Sequence, residues 1–240
     1  MAEQKIILGD AYQLVKEIAD KSVDLIITDP PYDIPNLHGS GIMKSRKKGK
    51  FTDELKEGSL DKGIDLSILN EFVRVMKKIN IYIWCNKKQI FDYLVFFHKE
   101  KNCNYEIFTW CKENPIPFCG AHYLVDKEYC LYFWEQGATL HVPFNRGGTY
   151  FLSKTNIIDK EDFSHPTCKP VSILTNFVLN SSKEGDLILD CFSGSGSTAI
   201  ACKNTNRNFI GFEINKKFYK SSIDRLEGIT SSGQIKLFDI

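Results

Sequence analysis

The chain has 240 residues, of which 42% are hydrophobic and 25% are charged, and its formal net charge at pH 7 is +1. These values indicate a globular protein with one sizeable core, and we treat residues 1–240 as a single domain. A charge this close to neutral excludes a chain that is basic overall, so any nucleic-acid surface must be a local patch.

The residue pattern excludes two further classes of protein. No apolar run approaches membrane-spanning length, and the first residues lack the apolar core of a signal peptide. We therefore expect a cytoplasmic protein with no membrane partner. The eight cysteines form no CxxC pair and show no Cys/His spacing typical of a metal site. We expect reduced, mostly buried thiols and no metal ion.

Two predicted strands near the N-terminus each end at a carboxylate. Residues 5–8 read as a short strand that ends at Asp10, and residues 12–19 have the apolar spacing of a helix. Alone, Asp10 would more often be a helix cap than a ligand. Residues 23–28 predict a buried strand, which the prolines of Asp29-Pro30-Pro31-Tyr32 stop abruptly. In an open α/β sheet, ligands bind at such carboxyl ends.

The Asp-Pro-Pro-Tyr cluster has the chemistry to bind an aromatic amine. The Asp29 carboxylate and the Pro30 carbonyl are two fixed acceptors that suit an NH2 group. Tyr32 offers a face on which a planar ring can stack. The structural alternative is a proline-terminated strand with a capping aspartate.

Residues 33–63 have little periodicity and several glycines, so they predict a long loop. This loop carries a run of positive charges that could bind phosphates: Lys44, Arg46, Lys47, Lys48 and Lys50. A solvated charged loop is the alternative. Residues 136–164 form a second irregular stretch, and we predict that the two stretches together make the variable recognition region.

The middle of the chain alternates helices and strands. Helical spacing covers residues 64–78 and 87–98, and a strong strand covers residues 80–85. This rhythm predicts a parallel sheet with helices on both faces. Residues 105–110 and 128–134 predict two more strands, which we expect to form a hairpin-like antiparallel edge.

The C-terminal portion predicts a nucleoside-binding half-fold. A buried strand over residues 186–190 ends at Asp190 and is followed by a tight glycine turn, a helix over 198–203 and a strand that ends at Glu213. The turn lacks the third glycine of a dinucleotide fingerprint, which favours S-adenosylmethionine over a dinucleotide. Its candidate cofactor residues are Phe192, Ser193, Gly194 and Gly196.

Together these stretches resemble the amino-group DNA methyltransferases of the beta arrangement, in which the catalytic motif comes first and the cofactor motif last. The resemblance rests on Gly9-Asp10, on Asp29 to Tyr32, and on residues 110–115, 165–170, 190–196 and 211–213. The family commonly has glutamine at position 168 and proline at position 191, where this chain has cysteine. The resemblance implies a circularly permuted Rossmann-like fold with a mostly parallel, twisted sheet.

The resemblance also implies a role for each cofactor residue. Glu213 would bind the ribose and Asp10 the adenine of S-adenosylmethionine. Asp190 and the 192–196 turn would bind its methionine portion, and Thr167 with Lys169 the carboxylate side of the cofactor.

The resemblance implies a site-specific enzyme that methylates the exocyclic amine of adenine in duplex DNA after the base is flipped out of the helix. A cytosine-N4 enzyme is the alternative, but the first residue of the catalytic motif is Asp, whereas cytosine enzymes usually have Ser. A catalytically silent nucleic-acid-binding module is a third reading, and RNA or protein glutamine a further substrate. A homodimer and a cognate restriction endonuclease are compatible with the family, but no residue pattern determines either.

Overall fold

A computed structural model describes residues 2–33, 63–115, 123–155 and 168–230. Eight strands of these residues form one sheet. In chain order they are β1 (Gln4–Leu8), β2 (Leu25–Thr28), β3 (Asn80–Cys85), β4 (Asn104–Lys112), β5 (Lys127–Trp134), β6 (Tyr150–Ser153), β7 (Leu187–Asp190) and β8 (Asn208–Glu213).

The strand order across the sheet is β1-β8-β7-β2-β3-β5-β4-β6. Neighbouring strands run parallel except for β5, which is antiparallel to both β3 and β4. The sheet is therefore mostly parallel, as predicted. Because β7 lies directly beside β2, the predicted cofactor strand and the predicted catalytic strand end at the same edge of the sheet.

One strand lies where the sequence predicted irregular chain. Within residues 136–164, a short 3-10 helix (Phe144–Arg146) precedes β6, which pairs in parallel with the end of β4. The antiparallel pair of β4 and β5 is thus not at the edge, since β6 covers β4. With only four residues, β6 is too short to show a clear alternating pattern.

Within these described ranges, six α-helical segments connect the strands: α1 (Ala11–Leu14), α2 (Ile68–Val75), α3 (Ile90–Tyr93), α4 (Val171–Ser181), α5 (Ser197–Asn204) and α6 (Lys216–Leu226). A 3-10 turn (Val15–Glu17) follows α1, and a π-helix (Leu94–Glu100) continues α3. Helix α2 is shorter than the predicted 64–78, because at Met76 the chain becomes extended and bridges to Val23 of the neighbouring segment. None of the helices in the described ranges is long and apolar enough to cross a membrane.

Alternating residues of the buried strands supply two cores, one on each face of the sheet. Ile26 of β2 belongs to a core with Phe72 of α2. Its neighbours Leu25 and Ile27 belong to the opposite core, with Phe177 of α4. This alternation explains why β2 and β3 are buried along their whole length and mostly apolar: each is covered on both faces.

Candidate active site

A pocket of about 260 Å³ opens where β1, β2, β7 and β8 end. Residues from both the N-terminal and the C-terminal parts of the chain line it. From the N-terminal part come Gly9, Asp10, Thr28, Asp29 and Pro31, and from the C-terminal part Lys169, Asp190, Phe192, Ser193, Gly194 and Glu213. The pocket lies at the point where ligands bind in open α/β sheets.

Asp29 follows β2 directly, and its side chain is 23% exposed. Its Oδ2 forms an ion pair with the Lys169 ammonium. Its Oδ1 is buried and has no hydrogen-bond partner among the described residues. Burial raises the pKa of the Asp29 carboxyl, and the adjacent Lys169 opposes that rise. A buried acceptor with no partner is costly unless a ligand satisfies it.

Lys169 is shared between two carboxylates. Besides Asp29, its Nζ lies 3.2 Å from Oε2 of Glu128 at the start of β5. Glu128 also pairs through Oε1 with Lys112 at the end of β4. Burial opposes ionisation of Glu128, but the two ammonium groups outweigh it and lower the pKa of Glu128 to about 2. The side chains of Asp29, Lys169, Glu128 and Lys112 therefore alternate in charge, and we call them the charge chain.

The backbone after Asp29 is fixed by side chains from the end of β3. Nε2 of Gln89 donates to the Pro31 carbonyl at 3.2 Å, and Nδ2 of Asn86 donates to the Asp33 carbonyl at 2.7 Å. The Tyr32 hydroxyl donates to Oε2 of Glu128 at 3.4 Å. The Asp-Pro-Pro-Tyr segment is therefore supported by the residues that follow β3 and by Glu128 of β5.

The glycine turn between β7 and α5 brings its backbone close to Glu213. The Gly194 amide donates to Oε2 of Glu213 at 2.8 Å, and the Asn215 amide donates to Oε1 at 2.7 Å. Gly196 has a φ of +78°, a left-handed conformation that favours glycine, and it precedes the first turn of α5. Burial raises the pKa of Glu213.

Asp190 joins the two halves of the site. Its Oδ1 accepts from Thr28 Oγ1 of β2 at 2.9 Å and from the Phe192 amide at 3.1 Å, and its Oδ2 accepts from Thr198 Oγ1 at 2.8 Å. Burial raises the pKa of Asp190 from 3.8 to about 7, against these hydrogen bonds. Both carboxylate oxygens thus already have protein donors.

The raised pKa of Asp190 predicts a pH-dependent stability. Between pH 3.8 and about 7 the folded protein keeps a proton that the unfolded chain has released. The free energy of unfolding should therefore fall as pH rises through this window, by at most about 1.4 kcal/mol per pH unit from this one group. Asp190→Asn cannot titrate and should lose this component.

Urea unfolding of the wild type and of Asp190→Asn across that pH window measures the effect. The exposed Asp92→Asn on α3 is the matched control and should follow the wild type. Identical pH dependence in all three proteins would contradict the assignment.

The residues of the pocket fit S-adenosylmethionine. Ser193 Oγ in the glycine turn is buried and, like Asp29 Oδ1, has no hydrogen-bond partner among the described residues. Both atoms belong to lining residues, so each can meet a polar group of a ligand. The acidic pair of Asp10 and Glu213 suits the hydroxyl and amine donors of a nucleoside.

Most of the predicted site residues that the structure describes meet at this pocket. Pro30, Tyr32 and Gly196 do not line it, although each adjoins a residue that does. Asp10 caps α1, accepting from the Tyr12 amide at 2.9 Å, and also lines the pocket. The prediction for Thr167 lies outside the described residues, as do those for Lys44, Arg46, Lys47, Lys48 and Lys50.

The profile of one protein family, DNA methylase of the N6/N4 type, matches residues 23–224. The chain belongs to this family. It is therefore a DNA methyltransferase, and the family and fold predicted from the sequence are confirmed. The family uses S-adenosylmethionine as methyl donor, which confirms the predicted cofactor.

Known proteins resemble the methyltransferase over almost its whole length. Type II methyltransferase M2.DpnII of Streptococcus pneumoniae is 29% identical, over 94% of this chain and 91% of its own. DNA adenine methyltransferase YhdJ of Escherichia coli (strain K12) is 27% identical, over 92% and 82%. The crystal structure of the M1.HpyAVI-SAM complex has the same fold, with a TM-score of 0.67, 24% identity and coverage of 92% and 98%.

Two residues of the charge chain are not predicted from the sequence: Glu128 as a site residue, and Lys112 in any role. Lys112 stands in one of the stretches that carry the family resemblance, and Glu128 is an acidic residue at the start of a strongly aromatic strand. The charge of Glu128 in a strand otherwise predicted to be buried was the feature that could have marked it as a site residue. The sequence analysis assigned Lys169 to the cofactor carboxylate, which stays a prediction; in the structure its ammonium contacts Asp29 and Glu128.

Proposed function

We propose that this methyltransferase transfers the methyl group of S-adenosylmethionine to the exocyclic amine of adenine in a short duplex DNA sequence. One observation carries the proposal. The buried, unpartnered Oδ1 of Asp29 and the glycine turn with Glu213 share one pocket, which supports an amine acceptor beside a nucleoside site.

Four groups would hold the cofactor. Glu213 would accept hydrogen bonds from the ribose hydroxyls, Asp10 would meet the adenine, and the 192–196 turn would approach the methionine portion through its backbone. Thr167 and Lys169 are the predicted contacts for the carboxylate side. When bound, S-adenosylmethionine supplies a methyl group on a positively charged sulfur, open to attack by an amine.

The catalytic motif would act on the amine of the target base. Asp29 Oδ1 and the Pro30 carbonyl would each accept a hydrogen bond from one of the two amine hydrogens. This arrangement directs the nitrogen lone pair towards the methyl group. Among the described residues, no backbone amide donates to the Pro30 carbonyl. These acceptors interact best as positive charge develops on the nitrogen. Tyr32 would stack on the base, which must first leave the duplex.

Two observations favour adenine over cytosine. The motif begins with Asp29, whereas the resembling cytosine enzymes usually begin it with serine. The Escherichia coli relative is named a DNA adenine methyltransferase. Methylation of cytosine N4 is the second candidate and has the same chemistry at the amine.

The remaining predictions concern partners and recognition. We propose that segments 33–63 and 136–164 read the target sequence, with the basic run at residues 44–50 binding phosphates. Relatives named Type II methyltransferases suggest a cognate restriction endonuclease. The single-domain organisation, a homodimer and the cytoplasmic location also stay predictions.

The test is transfer of labelled methyl from S-adenosylmethionine to duplex DNA that contains all short sequences, followed by nucleoside analysis and mapping. We expect N6-methyladenine at one short motif. N4-methylcytosine would instead select the second candidate. Absence of label in DNA, with label in RNA or protein offered in competition, would overturn the proposed substrate.

A further inference from the structure

We propose that Glu128 is a positioning residue for methyl transfer: by sharing the Lys169 ammonium with Asp29, it sets how strongly Asp29 accepts a hydrogen bond from the substrate amine. The inference rests on the proposed function of Asp29. It adds a residue from β5, two strands away from the catalytic strand, to the machinery of the reaction.

The geometry of the charge chain carries the proposal. The Lys169 side chain is 5% exposed, and it contacts Asp29 Oδ2 on one side and Glu128 Oε2, at 3.2 Å, on the other. Its ammonium also lies 5.4 Å from the centre of the Tyr32 ring and 5.1 Å from that of Trp84. A single buried ammonium therefore divides its hydrogen bonds between two carboxylates.

Glu128 is itself fixed in place. Lys112 occupies its Oε1, while its Oε2 receives both Lys169 and the Tyr32 hydroxyl at 3.4 Å. Its side chain is 16% exposed, so water does little to screen these interactions. One glutamate thus contacts the partner of the catalytic carboxylate and the aromatic residue of the same motif.

The other titratable groups that face Asp29 do not supply this control. Cys85 of β3, Cys130 of β5 and Tyr93 of α3 all have a pKa raised by burial, so they are neutral at physiological pH. Asp190 of β7 faces the same region, but its oxygens accept hydrogen bonds from Thr28, Phe192 and Thr198. The charges that act on Asp29 from neighbouring elements are therefore chiefly those of Lys169 and Glu128.

Lys169 and Glu128 should shift the pKa of Asp29 in opposite directions. Without the Lys169 ammonium, burial is unopposed and the pKa of Asp29 should rise. Without the Glu128 charge, the Lys169 ammonium pairs with Asp29 alone, so the pKa of Asp29 should fall. The Asp29 carboxylate should then become a weaker hydrogen-bond acceptor. If Glu128 had only a structural role, the two substitutions would not shift the pKa of Asp29 in opposite directions.

The experiment uses the full chain and the variants Glu128→Gln and Lys169→Met. Glutamine keeps the size and an acceptor for Lys112, which favours folding. Glu135→Gln is the matched control, because Glu135 follows the far end of β5 and pairs with Lys78 at 3.3 Å. The ionisation of Asp29 is followed by carboxyl ¹³C NMR, with the signal assigned through Asp29→Asn, and single-turnover methyl transfer is measured against pH.

For Glu128→Gln we expect the pKa of Asp29 to fall by about one unit and the single-turnover rate to drop about tenfold, with the dissociation constants of cofactor and DNA nearly unchanged. For Lys169→Met we expect the pKa to rise and the acidic limb of the rate profile to shift to higher pH. Glu135→Gln should match the wild type in both measurements.

An Asp29 pKa that stays at the wild-type value in Glu128→Gln, or moves in the same direction in both variants, would overturn the inference. Because the NMR titration does not require turnover, failure of the proposed function can be distinguished from failure of this inference. A wild-type chain without methyl transfer, but with opposite NMR shifts in the two variants, would reject the substrate and support the shared-lysine arrangement.

Discussion

Asp29→Ala should lower the rate of methyl transfer at least about 1,000-fold while S-adenosylmethionine still binds. The reason is that the substitution removes the unpartnered Oδ1, which the structure offers to a ligand amine, and leaves the glycine turn and Glu213 untouched. The fold should survive, because Lys169 keeps its second partner, Glu128. This variant therefore separates methyl transfer from cofactor binding.

Single-turnover transfer to DNA and calorimetric titration with S-adenosylmethionine check the two halves of this expectation. Asp92→Ala is the control, since Asp92 lies in α3, does not line the pocket and is exposed. It should retain normal transfer. Normal turnover in Asp29→Ala would reject the mechanism, whereas loss of cofactor binding would show that Asp29 organises the whole pocket.

Gly211→Ala should disrupt the cofactor side of the pocket. A Cβ at position 211 in β8 would lie 2.7 Å from Cε1 of Phe209 and 2.8 Å from Oγ of Ser193. Both distances are too short, so the side chains of Phe209 and Ser193, or the backbone that carries them, must move. We expect a loss of about 1–3 kcal/mol in the free energy of unfolding, as for other overpacked sites, and about tenfold weaker binding of S-adenosylmethionine.

Urea unfolding and calorimetry on Gly211→Ala measure both effects. Gly148→Ala provides the same substitution at a position where the nearest atom would be 4.0 Å from the new Cβ, and it should behave like the wild type. A Gly211→Ala protein with unchanged stability and affinity would show that Ser193 can move without consequence for the cofactor.

Much of the fold could be predicted from residues that lie close together in the sequence. A buried strand is recognisable from its run of apolar residues, and β3 was predicted with the bounds that the structure has. The strand ends before Asp29 and at Asp190 followed from the prolines and glycines that interrupt such runs, because these residues act on the local backbone. The family resemblance then supplied the permuted order of the two half-folds.

The tertiary structure decided what depends on distant residues. The strand β6 exists through its pairing with β4, about 40 residues earlier in the chain, so its own four residues do not reveal it. The charge chain joins Asp29, Lys112, Glu128 and Lys169, which come from four separate segments. A charged side chain looks the same in sequence whether it is solvated or buried. Only the packing of β2, β3 and β5 around Lys169 buries these groups, and that burial gives them their chemistry.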